Sequence, residues 1–284
     1  MVRIDDHLLG AIPASGYVSD YVEYGCNVTM SPPEYHLAGA ISQMAALMGN
    51  KVRFPLGGRS FPAHTWIVLI GRAGAARKST AVSLATSMLD KVARGLRLPQ
   101  ESSREALWIT LQAQPTGFIE FSEFAAFLAK AKKEYQQGLL EDFCEMFDSP
   151  PSMKRVLTKD VYELHEPSIT ILGAGVTDVI GEMVRGKDLS GGFLSRLLFV
   201  PQTTDVSYVG MVGHAEDNEK NRLIDSLKRL IRKVPYSALD VTWSKDARDV
   251  WETYDKDIIE SPEIYSPELS GFYGRTGLYA AKIS

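Results

Sequence analysis

Cysteine is nearly absent: Cys26 and Cys144 are the only two, they stand far apart, and neither belongs to a CxxC or Cys/His pattern. A disulfide framework and a cysteine-based zinc site are thereby set aside, and the five histidines are too scattered to build one. No apolar run approaches membrane-spanning length and the amino terminus has no signal-peptide core, which predicts a cytoplasmic protein with no membrane partner. Positive charge is not in excess either. Lys and Arg number 31 against 35 Asp and Glu, a net charge of −4, so any nucleic-acid contact must come from a local basic surface and not from the field of the whole molecule. Apolar side chains are plentiful, at 45% of 284 residues, enough for one large core or a domain and a half.

The most informative stretch is Trp66 to Thr80, WIVLIGRAGAARKST. Five apolar residues run into Gly71, Gly74 follows, and Arg77-Lys78-Ser79-Thr80 opens a segment of helical periodicity. Strand, glycine turn and helix in that order suit a phosphate: backbone N–H groups from Gly71 through Gly74, Ala75 and Ala76 to the helix start converge on an anion, Lys78 adds a point charge, and Ser79 offers a hydroxyl to Mg²⁺. The stretch reads as a P-loop, with Arg72 and Arg77 where the standard pattern has glycines. The competing reading is an ordinary strand-to-helix turn with a basic helix start.

A second acidic strand end supports the first reading. Phe118 to Glu123, FIEFSE, runs apolar into carboxylates before a helix, as a Walker B strand does, with Glu123 as the group that polarises the attacking water. Ser122 stands where the metal-holding aspartate is expected. Strand alternation puts Glu120 on the same face as Ser122, so Glu120 either pairs with a nearby cation or substitutes for that aspartate at the metal. Residues 152–167 read as a hairpin carrying Lys154, Arg155 and Lys159, suited to phosphate contacts or, more plainly, a solvated tip. Ser168 to Gly173 is a further apolar strand that leads to Thr177, and Arg196 stands between a glycine-marked turn and the strand Leu197 to Pro201, where it either pairs with a carboxylate or reaches a neighbour's γ-phosphate.

Elsewhere the periodicity predicts helices. Ser31-Pro32-Pro33-Glu34 reads as a capping box ahead of a helix ending at Gly49-Asn50, and Ser102 or Ser103 caps a helix running to Gln114. Strands alternating with helices predict an α/β fold with a mainly parallel central sheet. Its parts are an N-terminal helical segment packed on the core (1–50), the nucleotide-binding core (51–201) and a small C-terminal helical lid (202–284) that begins with a linker and stops without a cap, as if cut short.

These residues together resemble a known family. SPPEYHLAGAISQMAALMGN, VRFPLGGR, WIVLIG, RKST, the strand with Glu123, FDSPPS, ILGAG and GGFLSRLLFV are similar to the P-loop ATPase module joined to primases in phage and plasmid replication proteins, from about Tyr17 to the end. More distantly the order of motifs resembles AAA+ ring helicases. The resemblance implies an ATP- and Mg²⁺-dependent helicase-like motor in mobile-element DNA replication, working as a homo-oligomeric ring on single-stranded DNA, with a primase as partner or missing half. It also implies Thr177 as a sensor residue, the hairpin in a central channel and Arg196 as an arginine finger. An ATP-binding switch or assembly factor, and a small-molecule kinase, are the competing classes.

Overall fold

Strand β3 (Trp66–Gly71) runs through the middle of the molecule and is apolar at nearly every position because both of its faces are covered. Trp66 and Val68 face one apolar cluster, while Ile67 and Leu69 face another on the opposite side of the sheet. The computed structural model describes residues 10, 12–74, 76–157, 159–185, 192–204, 217–266 and 269–283. Ala75, positions 188–191 of the glycine-marked turn and positions 205–215 of the expected linker lie outside the described residues.

The fold is α/β. Four parallel strands form the central sheet in the order β4 (Thr116–Phe121), β7 (Ser168–Val176), β3 and β8 (Leu198–Pro201), which agrees with the parallel sheet expected from the strand–helix alternation. A parallel bridge from Arg97 to Phe118 extends it beyond β4. On one face lie α1 (Tyr17–Val28), α2 (Pro33–Met48), α3 (Lys78–Ala93) and α8 (Asp217–Lys233). The other face carries α4 (Arg104–Ala113), α5 (Phe124–Ala131), α6 (Leu139–Phe147), α7 (Thr177–Arg185) and α10 (Ser270–Ile283).

Local chemistry explains the element boundaries. Pro33 opens α2 without needing its missing N–H, and Gly49, at φ 52°, ends it. The Ser103 hydroxyl caps α4 by accepting from the Ala106 N–H at 3.1 Å, as the sequence predicts. The hairpin of β1 (Val52–Leu56) and β2 (Arg59–Pro62) turns on Gly57 and Gly58, both at positive φ (56° and 76°), a two-residue connection matched to strand twist. Short β9 (Leu239–Asp240) pairs with β1, and β5 (Ser152–Leu157) with β6 (Asp160–His165) forms the hairpin expected over residues 152–167.

The expected C-terminal lid divides differently. Leu223 and Leu227 of α8 are buried in the α3-side cluster. Helix α9 (Lys245–Glu260) lies against α10, whose Tyr279 hydroxyl donates to the Arg196 carbonyl at 2.6 Å and accepts from the Trp66 N–H at 3.2 Å. Those contacts are at the amino ends of β3 and β8, so α10 braces the base of the sheet and does not cover the strands' carboxyl ends. Among the described residues no helix is long and apolar enough to cross a membrane.

Candidate functional site

At the carboxyl end of β3 the chain has to turn under steric pressure. A Cβ at Gly71 would lie 2.6 Å from the Tyr35 hydroxyl oxygen and 2.8 Å from the Ala76 Cβ, so only glycine fits. Gly74 adopts φ 72°. Arg77 then takes φ 48° and ψ 30°, the left-handed conformation that a glycine would adopt without strain, at a cost of about 1 kcal/mol. Three hydrogen bonds hold its carbonyl in place: it accepts from the Ser31 hydroxyl at 2.9 Å, the Thr80 N–H at 3.1 Å and the Ala81 N–H at 3.3 Å.

Lys78 begins α3, and its side chain folds back into the turn. Its ammonium donates to the carbonyls of Gly71 at 2.8 Å and Arg72 at 2.9 Å, and the residue is only 8% exposed. Burial pulls its pKa below the usual lysine value. The helix start therefore carries a poorly solvated cation whose partners are neutral carbonyls. Ser79 and Thr80 stand exposed on the first turn of α3 and, with Thr29 and Ser83, line a groove of about 490 Å³.

The turn borders a larger cleft of about 790 Å³, lined by Gly71, Arg72 and Ala73, by Val176, Thr177 and Asp178 at the β7–α7 junction, and by Pro201 at the end of β8 with residues 202–204 after it. From β3 the chain leaves to α3 on one face, and from β7 it leaves to α7 on the other, where Ile180 joins the opposite cluster. Neighbouring strands whose connections part in this way open a crevice at their carboxyl ends, the usual ligand position in such sheets. Thr177 is thus brought beside the turn.

Three residues near the start of α2 were not read as part of the site. The capping box expected there does not form, because α2 has no side-chain cap. Glu34 instead accepts from the N–H groups of Thr203 at 2.6 Å and Thr204 at 2.9 Å, Ser31 holds Arg77, and the Tyr35 hydroxyl donates to the Ile70 carbonyl at 2.7 Å. One short segment so ties the glycine turn to the segment after β8. The only trace in the sequence was the SPPEY run itself, whose spacing suits a cap equally well.

Other expected residues lie apart. Ser122 and Glu123 follow β4, separated from β3 by β7, roughly 10 Å away at the usual strand spacing. Both line a different cavity of about 540 Å³ floored by Phe121, Phe127 and Phe143. Of the two alternatives for Glu120 the structure takes the first: its carboxylate accepts from Arg97 at 2.8 Å and Gln100 at 2.7 Å, which corrects its assignment to a metal. Among the described residues no group of three or more His, Cys, Asp or Glu side chains could hold an ion.

The basic hairpin is also committed elsewhere. Arg155 pairs with Asp142 at 3.2 Å and with Glu145, and Lys154 pairs with Glu163 at 3.1 Å, leaving Lys159 exposed at the turn. Asp142 is fully buried and accepts as well from Arg104 at 2.6 and 2.9 Å and from the Trp108 indole at 2.8 Å, so Arg155 closes a structural network. Arg196, expected as a finger, sits before β8 at the amino ends of the strands. Its guanidinium donates to Asp148 at 3.0 Å and to the Gly192 carbonyl at 2.9 Å, and its side chain is 13% exposed. In its own chain it is an intramolecular ion-pair residue, remote from the cleft. No protein-family model matches the chain, and no curated protein matches it significantly.

Proposed function

We propose that the chain binds ATP with its phosphates on the Arg72–Ser79 turn and works as an ATP-dependent nucleic-acid motor of helicase type, assembled as a homo-oligomeric ring. The observation that carries nucleotide binding is the buried Lys78 ammonium, held inside a glycine turn at a helix start by two carbonyls. An anion offers that cation far more than neutral carbonyls do, and α3 adds the positive end of its dipole. Arg72 and Arg77, exposed on the same turn, bring further positive charge.

Mg²⁺ fits as a companion of the nucleotide and not as a resident ion. Ser79 is available to it on the first turn of α3, and Mg²⁺ in such sites takes most of its remaining ligands from phosphate and water. When bound it would neutralise phosphate charge. Thr177 would orient the terminal phosphate from the far side of the cleft, and Glu123 would have to polarise water from the end of β4, one strand beyond β7. For Arg196 to act on a neighbour's nucleotide it would have to exchange Asp148 for that phosphate.

A specific observation favours the second reading, an ATP-binding switch with slow turnover: Ser122 has no carboxylate and Glu120 is committed to Arg97, so neither of these two residues of that strand end supplies a free carboxylate to a metal. The test of binding is Lys78→Ala titrated with a fluorescent ATP analogue, where affinity should fall at least tenfold. Turnover of the parent protein with and without single-stranded DNA separates motor from switch. Unchanged affinity in Lys78→Ala would mean that the phosphates bind elsewhere.

A further inference from the structure

The turn of the β1–β2 hairpin and the first turns of α9 enclose a cleft of about 510 Å³ unrelated to the glycine turn. Trp243 and Trp251 line it with their ring centroids 6.0 Å apart and planes at 56°. Both indole N–H groups are spent on backbone carbonyls, Trp243 on Pro55 at 3.0 Å and Trp251 on Gly277 at 2.8 Å, so the rings are fixed and neither needs a polar partner from a ligand. Arg59 and Arg248 stand exposed at the same cleft and, among the described residues, neither has an ion-pair partner, although Arg59 lies over the Phe61 ring at 4.9 Å. Gly57 and Gly58 leave open space beside the backbone at the rim.

Two carboxylates also face the cleft. Asp240 already accepts from the Ser60 hydroxyl, and Glu252 is exposed. Two arginines against two carboxylates leave no net charge, so the cleft is not a well for a free anion. What it offers is two fixed aromatic planes with guanidinium groups beside them, the combination that holds bases by stacking and their backbone by charge. It lies at the pole of the sheet opposite the glycine turn: Trp251 is anchored to α10, which is itself bonded to Trp66 at the start of β3.

We propose that this cleft binds single-stranded nucleic acid, with bases stacked on Trp243 and Trp251 and phosphates met by Arg59 and Arg248. The choice of nucleic acid rests on the motor reading above; the stacking platform does not. Arg155 of the β5–β6 hairpin is held against the buried Asp142, whereas both arginines of this cleft stand without an ion-pair partner among the described residues.

The chain reports on the cleft by itself. Of its four tryptophans, Trp66 and Trp108 are 0% exposed, so quenching of intrinsic fluorescence by an added strand reads Trp243 and Trp251. An oligo(dT) strand titrated at several salt concentrations should quench saturably, with a log–log salt slope no steeper than about −1.4, the value for two phosphates. Arg59→Ala with Arg248→Ala, both surface changes, should weaken binding about tenfold and bring the slope toward zero. Trp243→Phe, which keeps an aromatic face, should retain part of the affinity. No quenching by the strand, quenching undiminished in the double arginine variant, or quenching by a mononucleotide or a polyproline peptide as tight as by the strand would each overturn the proposal. Lys78→Ala protein separates the two readings: loss of ATP binding with quenching retained supports both, whereas quenching lost with ATP binding intact in the parent overturns only this one.

Discussion

Gly71→Ala should cost more than any other single methyl group in the chain's central turn, and Tyr35 should account for a defined part of that cost. The added Cβ meets the Tyr35 hydroxyl at 2.6 Å and the Ala76 Cβ at 2.8 Å, both closer than real side chains approach. Overpacking of this kind costs about 1–3 kcal/mol, and displacing the Tyr35 hydroxyl from the Ile70 carbonyl removes a hydrogen bond of about 1 kcal/mol. Gly71→Ala is therefore expected to destabilise by about 2–4 kcal/mol. Tyr35→Phe alone should cost only about 0.5–1 kcal/mol, because the Ile70 carbonyl keeps the Gln202 N–H at 3.0 Å. In the double variant the hydroxyl clash is gone while the Ala76 contact remains, so the two changes should be sub-additive by about 1 kcal/mol. Urea unfolding of the four proteins measures the cycle through the transition midpoints at constant m-value. Additive costs would show that the Tyr35 hydroxyl does not press on the turn. A Gly71→Ala cost below about 0.5 kcal/mol would show that the turn is not closed over α2 as described.

Three further outcomes follow from the same contacts. Asp142→Ala leaves two guanidinium groups and an indole N–H facing a buried hole and should destabilise by about 3–5 kcal/mol in urea; a loss under 1 kcal/mol would refute the network. Glu123→Gln should keep ATP binding while lowering turnover on the order of a hundredfold, and Glu120→Gln should leave Mg²⁺ dependence unchanged while lowering stability, since its partner is Arg97; exchanged phenotypes in a steady-state ATPase assay would reverse the two roles. Lys282 is buried, donates to the His64 carbonyl at 2.9 Å and has its pKa pulled down to about 7 by desolvation. Between pH 7 and 10.5 the unfolded chain holds a proton that the folded chain has released, so stability should rise with pH across that window, by at most about 1.4 kcal/mol per unit, and Lys282→Met should flatten the rise. At the acid end, His36, lowered to about 4 by burial, should cost stability as pH falls from 6.5 towards 4. Urea midpoints across pH check both, and an equal alkaline rise in Lys282→Met would exclude that lysine as its source.

Much of the fold was legible because it depends on near neighbours in the chain. The apolar run into Gly71, the Ser103 cap and the stripes of the helices are each decided within a few residues by backbone sterics and periodic burial, and the structure has them where the spacing puts them. The same local grammar indicates a parallel sheet, since strands alternating with helices have few other ways to bury both faces. Tertiary structure alone decided which groups meet. The SPPE run has the spacing of a helix cap, yet Glu34 bonds to Thr203, 169 residues away, and Ser31 to Arg77, 46 away. FIEFSE has the pattern of a metal-holding strand, yet Glu120 meets Arg97, because a bridge brings residue 97 alongside β4. Arg155 reads as a cation of a basic hairpin and Arg196 as either an ion-pair residue or a group reaching a neighbour's phosphate, and each is paired with an aspartate on or just after α6. Charge and hydrogen-bonding capacity are written in the residue type, but the partner that satisfies them in a dense interior depends on which surfaces pack together, and that is a property of the whole chain.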